Sequence, residues 1–453
     1  MIFEQYYLDC LSQASYLVGD DTTGQAVVVD PRRDVDEYID DAKGHGLTIV
    51  AVAETHFHAD FVSGHLELAD RTGAEIIYGE AADPDFAHRK VADGEQLALG
   101  EVVLEFRATP GHTPESISIV IWEHADDSAP FGVLTGDTLF IGDVGRPDLL
   151  ASSGVTADEL GRMLHESLRT KLLTLPDTTR VFPAHGAGSA CGKQLSTETS
   201  STIGEQRSTN YALRPMTTEE FISVVTEGQS RAPDYFSFDA DRNRHTHPLL
   251  DQHAPDRLAV DDVVDRQQGG AVVIDTRDAA SFARGHLRGS INVGLEGRFA
   301  EYVGSVVDPD DDIVIVGEEG MEAEARVRLG RIGFDRVSGH LPDVARVLAQ
   351  RPELAATASR LTAAVLRARM AEHDVDVVDI REAGERTEGA IPGAIHIPLR
   401  ELRHRLDEIR TERPVVIHCA GGYRSSIGAS LLRRHGWTDV SDLLGGYGAW
   451  ASS

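Results

Sequence analysis

Thr55–His65, THFHADFVSGH, places His56, His58, Asp60 and His65 within one short segment. It continues TIVAVAET (48–55), an apolar run that reads as a buried strand, so the imidazoles stand at a strand's carboxyl end. Upstream, SYLVG (15–19) and AVVVD (26–30) read as hairpin strands, and DVDEYIDDAKGHG (34–46) reads as a helix closed by glycine. Downstream, EVVLEFRAT (101–109), SISIVIW (116–122) and FGVLTGD (131–137) read as further strands. Strands with interspersed helices make this part a layered α/β domain.

Three more segments repeat the pattern of a strand-like run ending in His or Asp beside Gly or Pro. TPGHTPES supplies His112, LTGDTLF supplies Asp137, and VFPAHGAGSACGK supplies His185 and Cys191. Loops after strand ends are where α/β folds present ligands. Imidazoles and a carboxylate from separate strand ends can converge on one ion. A two-His, one-carboxylate face with open positions suits non-haem Fe(II) and O2 chemistry.

The second half holds an internal repeat. AVVIDTRDAASFARGHLRGSINV from Ala271 matches VDVVDIREAGERTEGAIPGAIHIPL from Val375. Asp275 pairs with Asp379, Arg277 with Arg381, Gly285 with Gly389, Gly289 with Gly393 and Ile291 with Ile395, each 104 positions apart. Two copies of one α/β domain account for this. In the second copy HCAGGYRSS leads into the helical pattern SIGASLLRRHG. The corresponding loop of the first is VGEEGMEAE, with Gly317 where Cys419 would stand. The polar stretch around 205–255 reads as a last helix of the first domain and a linker. The expected domains are therefore 1–254, 255–355 and 356–453.

Composition narrows the function. At a formal charge of -31 the chain would be repelled by a phosphate backbone, so nucleic acid is excluded as partner. No apolar run approaches the roughly 20 residues that span a bilayer, and MIFEQYYLDCLSQ lacks the regions of a secretion signal. Cys10, Cys191 and Cys419 are three, and far apart, so they form no disulfide framework and suit a reducing compartment. The expected location is cytoplasmic, without membrane contact. Cys10 falls in an early strand-like segment.

THFHADF, GHTP, GD and PAHG in this order resemble the metallo-β-lactamase superfamily, which implies an αβ/βα sandwich. That superfamily's metal motif reads His-x-His-x-Asp-His, whereas the last position here is Phe61, which cannot ligate. The departure disfavours a two-metal hydrolase and resembles the persulfide dioxygenases, which hold one iron. The resemblance places their ligands on His56, His112 and Asp137, and gives His58, Asp60 and His185 the work of orienting those ligands. Arg146, in IGDVGRPDLL, falls where the family uses an arginine near the thiol substrate. Cys191 follows the family pattern near the iron and is a candidate carrier of sulfane sulfur.

The repeat resembles the rhodanese fold, a small α/β domain. Cys419 would end a strand and open a loop whose backbone N–H groups, at Gly421 and Gly422 among others, stabilise a thiolate or persulfide. Arg424 adds positive charge, and Arg381 serves structure or charge. The first copy, lacking the cysteine, would be structural or a docking element. The whole order resembles the multidomain persulfide dioxygenase–sulfurtransferases. It implies one Fe(2+) per chain, oxidation of a low-molecular-weight persulfide (of glutathione, coenzyme A or another cellular thiol) by O2 to sulfite, and transfer of sulfur through Cys419 to sulfite. It also implies a homo-oligomer. The competing readings are a glyoxalase II-like zinc thioester hydrolase and a non-oxidising sulfur carrier.

Overall fold

Val27 and Val29 of AVVVD point to one side of their strand and Ala26 and Val28 to the other, and all four are fully buried. A strand dry on both faces must lie inside a layered structure. The computed structural model describes residues 1–149 and 155–453, so Leu150 of IGDVGRPDLL lies outside the described residues. The chain divides into two compact units, 1–232 with 236–250, and 233–235 with 251–453.

The first unit holds two six-stranded sheets. One runs in order β1 (Ile2–Leu8), β2 (Gln13–Asp20), β3 (Gln25–Val29), β4 (Thr48–Ala53), β5 (Glu75–Gly79), β6 (Arg89–Val91). The other comprises β7 (Gln96–Ala98), β8 (Val103–Ala108), β9 (Ile117–Trp122), β10 (Gly132–Gly136), β11 (Arg180–Pro183) and β12 (Ser201–Thr202), in the order β12-β11-β10-β9-β8-β7. Between them one core joins Tyr16, Val27 and Val29 to Leu104, Ile119 and Leu134. A second core packs Val28 and Val52 against Tyr38 and Leu68 of helices Asp36–Gly44 and His65–Thr72. A third packs Val120 and Val133 against Leu164 and Phe221 of helices Ala157–Ser167 and Thr218–Thr226. Helix, sheet, sheet and helix layers follow from that alternation. Cys10, expected in a strand, lies in the turn between β1 and β2.

The stretch read as a linker carries more helix than its composition announced. Helices Thr218–Thr226 and Tyr235–Arg242 follow Ile203–Thr209. Thr217 and Glu220 form a reciprocal capping box, a local start signal that outweighs the polar composition.

In the second unit the repeat becomes two sheets of matching order. The strands are β13 (Val272–Asp275), β14 (His286–Leu287), β15 (Ile291–Asn292), β16 (Ile313–Gly317) and β17 (Val337–Pro342). They continue as β18 (Ala355–Ala356), β19 (Ser359–Leu361), β20 (Asp376–Asp379), β21 (Ile395–His396), β22 (Val415–His418) and β23 (Val440–Leu443). The first sheet is β15-β13-β16-β17 and the second β19-β23-β22-β20-β21, while β14 pairs with β18. Asp275 lies opposite Val316 as Asp379 lies opposite His418, so the register itself puts Gly317 in the place of Cys419.

The repeated Asp, Arg and Gly have one structural purpose. Arg381 donates through Nε and Nη2 to the Asp379 carboxylate at 3.0 and 2.8 Å, and through Nη2 to the Gly389 carbonyl at 2.9 Å. Arg277 does the same with Asp275 and Gly285. Each buried pair ties a strand end to the loop beyond the next helix, and breaking such a pair costs about 3–5 kcal/mol.

Candidate functional site

Four strand ends of the first unit deliver the candidate ligands. His56 and His58 follow β4, His112 follows β8, Asp137 follows β10 and His185 follows β11. β10 and β11 run parallel, as do β3 and β4, so carboxyl ends share one edge of each sheet. There His56, His112 and Asp137 converge, their ligand atoms within 4.8 Å of one another and all three buried. Asp137 Oδ2 is 4.0 Å from His56 Nε2 and 3.4 Å from His112 Nε2.

The other atom of each group is already held. His56 Nδ1 is 2.9 Å from Thr55 Oγ1, which donates to Asp30 Oδ2 at 2.8 Å. His112 Nδ1 donates to the Arg146 carbonyl at 3.0 Å, and Asp137 Oδ1 accepts from His185 Nδ1 at 2.8 Å. Orientation is thus fixed from outside, leaving two imidazole nitrogens and one carboxylate oxygen facing each other. Among the described residues no N–H or O–H donor is hydrogen-bonded to Asp137 Oδ2 although it is buried, and the Cys191 thiol stands beside this carboxylate. Such an orphaned oxygen beside two Nε2 atoms fits a cation bound by two histidines and a carboxylate.

The electrostatics agree with that fit. Burial, then the neighbouring His58, pushes the His56 pKa well below that of a free imidazole and keeps the ring neutral, the form that ligates. Burial opposes ionisation of Asp137, but His185, His112 and His56 overcome it and hold the carboxyl far below its usual range. Burial likewise opposes charge on His185, yet Asp137 and Asp60 raise its pKa well above the ordinary value. Asp60 Oδ2 lies 2.7 Å from His185 Nε2, so Asp60, His185 and Asp137 form one buried chain.

His58 turns its Nε2 towards Asp30 Oδ1 at 3.1 Å and Glu54 Oε2 at 3.7 Å, and it also offers a ligand atom within 4.8 Å of those of Asp60 and His185, a second buried group beside the first. Burial, then Asp30, pushes the Glu54 pKa well up. His65 Nδ1 is 3.5 Å from Glu54 Oε1, outside the converging set. Phe61 is fully buried, its ring 4.4 Å from that of His58. Sequence reasoning did not find Asn243. Its Nδ2 donates to the carbonyls of His58 and Phe61 at 2.7 and 2.8 Å, and its Oδ1 accepts from Ser63 N–H at 2.8 Å. One buried amide thereby ties down the turn that carries the histidines. The RNRHTHP segment gave no periodicity to mark it.

Arg146 does not present a free guanidinium. Nε and Nη2 engage the Asp148 carboxylate, and Nη1 donates to the Ser230 carbonyl at 2.8 Å. Its contribution to the centre comes through its backbone, whose carbonyl orients His112. Cys191 is buried with its sulfur within 4.8 Å of ligand atoms of Asp137 and His185. Burial, then Asp60 and Asp137, pushes its thiol pKa well up.

In the second unit, Cys419 follows β22 and is buried. The Gly422 N–H donates to its Sγ at 3.1 Å, and Sγ lies 3.8 Å from Ser425 Oγ. Gly422 has φ +100°, a backbone shape that a Cβ would strain. Gly421 is exposed. Arg424 makes a two-pronged pair with Glu385 at 2.7 and 2.6 Å, so its charge reaches the sulfur only in part. Glu385 is a partner the sequence did not reveal.

Comparison with known proteins follows the same division. The sequence profile of the Metallo-beta-lactamase superfamily matches residues 8–185, and that of the Rhodanese-like domain matches 259–341 and 362–453. The persulfide dioxygenase ETHE1 of Mus musculus is 31% identical over 217 residues, 47% of this chain and 75% of that protein. Its counterpart in Bos taurus is 29% identical over 230 residues, 49% of this chain and 80% of that protein. A crystal structure of a metallo-beta-lactamase from Staphylococcus aureus subsp. aureus COL shares 32% identity and superposes with a TM-score of 0.68, covering 76% of this chain and 99% of that one. No helix among the described residues is long and apolar enough to cross a membrane.

Proposed function

Because this chain belongs to the persulfide dioxygenase family of the metallo-β-lactamase superfamily and carries two rhodanese-like domains after that part, we propose that it oxidises a low-molecular-weight persulfide and passes sulfane sulfur to the sulfite formed. In the first reaction one persulfide, one O2 and one water give one thiol, one sulfite and two protons. The observation that carries this reading is the convergence of His56 Nε2, His112 Nε2 and Asp137 Oδ2, the carboxylate oxygen having no N–H or O–H hydrogen bond among the described residues. These three residues would hold one Fe(2+), which when bound supplies the redox chemistry between sulfur and O2. Phe61 stands where the superfamily's motif has a histidine, which argues against a binuclear zinc hydrolase.

The chain's own groups then have defined work. Thr55 and the Arg146 carbonyl fix the tautomer of His56 and His112 so that each presents Nε2. Asp60 and His185 keep Asp137 ionised and aimed. The Arg146 guanidinium, expected near the thiol substrate, is engaged by Asp148 and the Ser230 carbonyl. Cys191 lies at the wall beside Asp137, where sulfane sulfur would be received at the first site.

In the second reaction the Cys419 thiolate attacks the outer sulfur of a persulfide. The S–S bond breaks, the thiol leaves with the electron pair, and Cys419 holds the sulfur. Sulfite then attacks that outer sulfur, giving thiosulfate and restoring the thiolate. The Gly422 N–H offers a donor to the anionic sulfur. The same reading carries the expectation of a cytoplasmic location, of glutathione, coenzyme A or another cellular thiol as carrier, and of a homo-oligomer. The test is the Cys419→Ser variant of the iron-loaded chain given glutathione persulfide. It should consume O2 at the rate of the parent but release sulfite instead of thiosulfate. An unchanged thiosulfate yield would overturn the coupling.

A further inference from the structure

The helix that follows Cys419, Arg424–Arg434, has one face turned to the cysteine-less copy. Tyr423, Ser426, Ser430 and Arg434 are spaced three, four and four apart, which puts them on one side. Ser426 Oγ donates to Asn292 Oδ1 at 2.6 Å, and Ser430 Oγ accepts from the Asn292 N–H at 3.0 Å. Arg434 Nη1 donates to the Gly289 carbonyl at 3.2 Å. Asn292 is itself fixed, its Nδ2 donating to the carbonyls of Asp275 and Arg277 at 3.1 and 2.8 Å.

At the head of this face is Tyr423. Its hydroxyl donates to the Gly294 carbonyl at 2.5 Å, with the Glu296 carbonyl 3.2 Å away as second acceptor. Its ring lies 5.6 Å from that of Tyr302. Gly294 allows this approach, because a Cβ there would stand 3.2 Å from Tyr423 Cε2. Burial, then Tyr302, pushes the phenol pKa up, so the hydroxyl remains a donor. Yet the residue is 36% exposed, so apolar burial alone does not set its position. Tyr423 stands between Gly422, whose N–H reaches Cys419 Sγ, and Arg424, which is anchored on Glu385.

We propose that Tyr423 is a positioning residue of the sulfur-transfer site: held by the Gly294 and Glu296 carbonyls of the cysteine-less copy, it fixes the 419–424 loop so that the Gly422 N–H meets the Cys419 sulfur. This rests on the sulfurtransferase reading above. It gives the first copy a task in place of the nucleophile it lacks. Gly317 and the Glu318–Glu319 pair make it useless for holding anionic sulfur, but its loop 294–296 supplies the carbonyls that its neighbour's loop hangs from. The peptide between Gly421 and Gly422 has little side chain to hold it, so a fixed point one residue further on decides where its N–H aims.

The experiment uses the full-length chain and follows sulfur transfer from thiosulfate to cyanide. Thiosulfate gives its outer sulfur to the Cys419 thiolate and leaves as sulfite, and cyanide then removes that sulfur as thiocyanate. Tyr423→Phe keeps the ring and removes only the donor. Its kcat should fall about five- to tenfold, the rate equivalent of one hydrogen bond. The KM for thiosulfate, the thermal midpoint and O2 uptake with glutathione persulfide should stay as in the parent. Gly294→Ala, which pushes on the same ring, should cause a similar loss alone and no added loss in the Tyr423→Phe background. Parental kcat in Tyr423→Phe, or losses that add in the double variant, would overturn the proposal while leaving the sulfurtransferase reading intact. A parent chain that takes no sulfur onto Cys419, read by intact mass, overturns both.

Discussion

Replacing Asp60 by Asn tests whether the buried chain behind Asp137 governs metal binding. Asp60 lies 2.7 Å from His185 Nε2, and His185 Nδ1 lies 2.8 Å from Asp137 Oδ1. With the second carboxylate gone, His185 has less reason to carry a proton, and the ionised Asp137 faces a neutral donor in place of a cationic one. Partners that orient metal ligands are worth about 10- to 100-fold in metal affinity. The isosteric change keeps a hydrogen-bonding side chain beside His185, so the lower end, roughly tenfold in iron affinity, is expected. Asp60→Ala also strands the His185 N–H in a dry site, and roughly a hundredfold loss is expected, the upper end for groups that orient metal ligands. Competition titration with a chelator of known affinity, under argon, reads both. Stoichiometry should remain one iron per chain in each variant, because Asp60 acts through His185. Parental affinity in both variants, or a fall in stoichiometry with affinity unchanged, would refute the reasoning; the latter would make Asp60 a ligand.

Two further outcomes follow from named contacts. Phe61→His puts an imidazole beside His58, Asp60 and His185, and metal content should rise towards two per chain as O2 uptake falls, checked by metal analysis on the purified variant; unchanged content would show that Phe61 is not what keeps the second position empty. His286 has its pKa lowered to about 4 by burial, helped by Arg433 and only partly opposed by the Phe282 carbonyl. Since the free ring titrates near 6.5, the folded state binds fewer protons there, so its stabilising effect is complete above about pH 6.5 and is lost as pH falls towards 4, by roughly 3 kcal/mol in all. Urea unfolding of the parent and His286→Gln at pH 7, 5.5 and 4 should show that extra acid sensitivity in the parent alone.

The layers of the first unit were legible because burial leaves its mark on spacing. AVVVD and TIVAVAE are continuous apolar runs, as strands covered on both faces must be, and each of the histidine-bearing loops begins where such a run stops. The repeat was legible because Asp379, Arg381 and Gly389 form one buried hydrogen-bonded unit that cannot drift apart in sequence. What stayed hidden works through the backbone or across long separations. The Arg146 carbonyl orients His112, and a carbonyl carries no residue-type signal. Asn243 acts on residues more than 180 positions earlier, from a polar segment that composition marks as linker. Asp30 and Glu54 each follow an apolar run with nothing in the sequence to join them, and only the fold shows them packed around His58. The guanidinium of Arg146 was expected near substrate, but Asp148, two residues on, is a closer partner than sequence position alone could reveal.

The central claim is iron-dependent oxidation of a persulfide at His56, His112 and Asp137. Its most direct test is O2 uptake by anaerobically iron-loaded protein given glutathione persulfide, with metal content measured on the same sample. Rapid uptake with about one iron per chain, sulfite or thiosulfate as product, and no uptake by the zinc-loaded protein is the result required by the two-histidine, one-carboxylate site. An iron-loaded sample that consumes no O2 with glutathione persulfide, and none with coenzyme A persulfide, would contradict it.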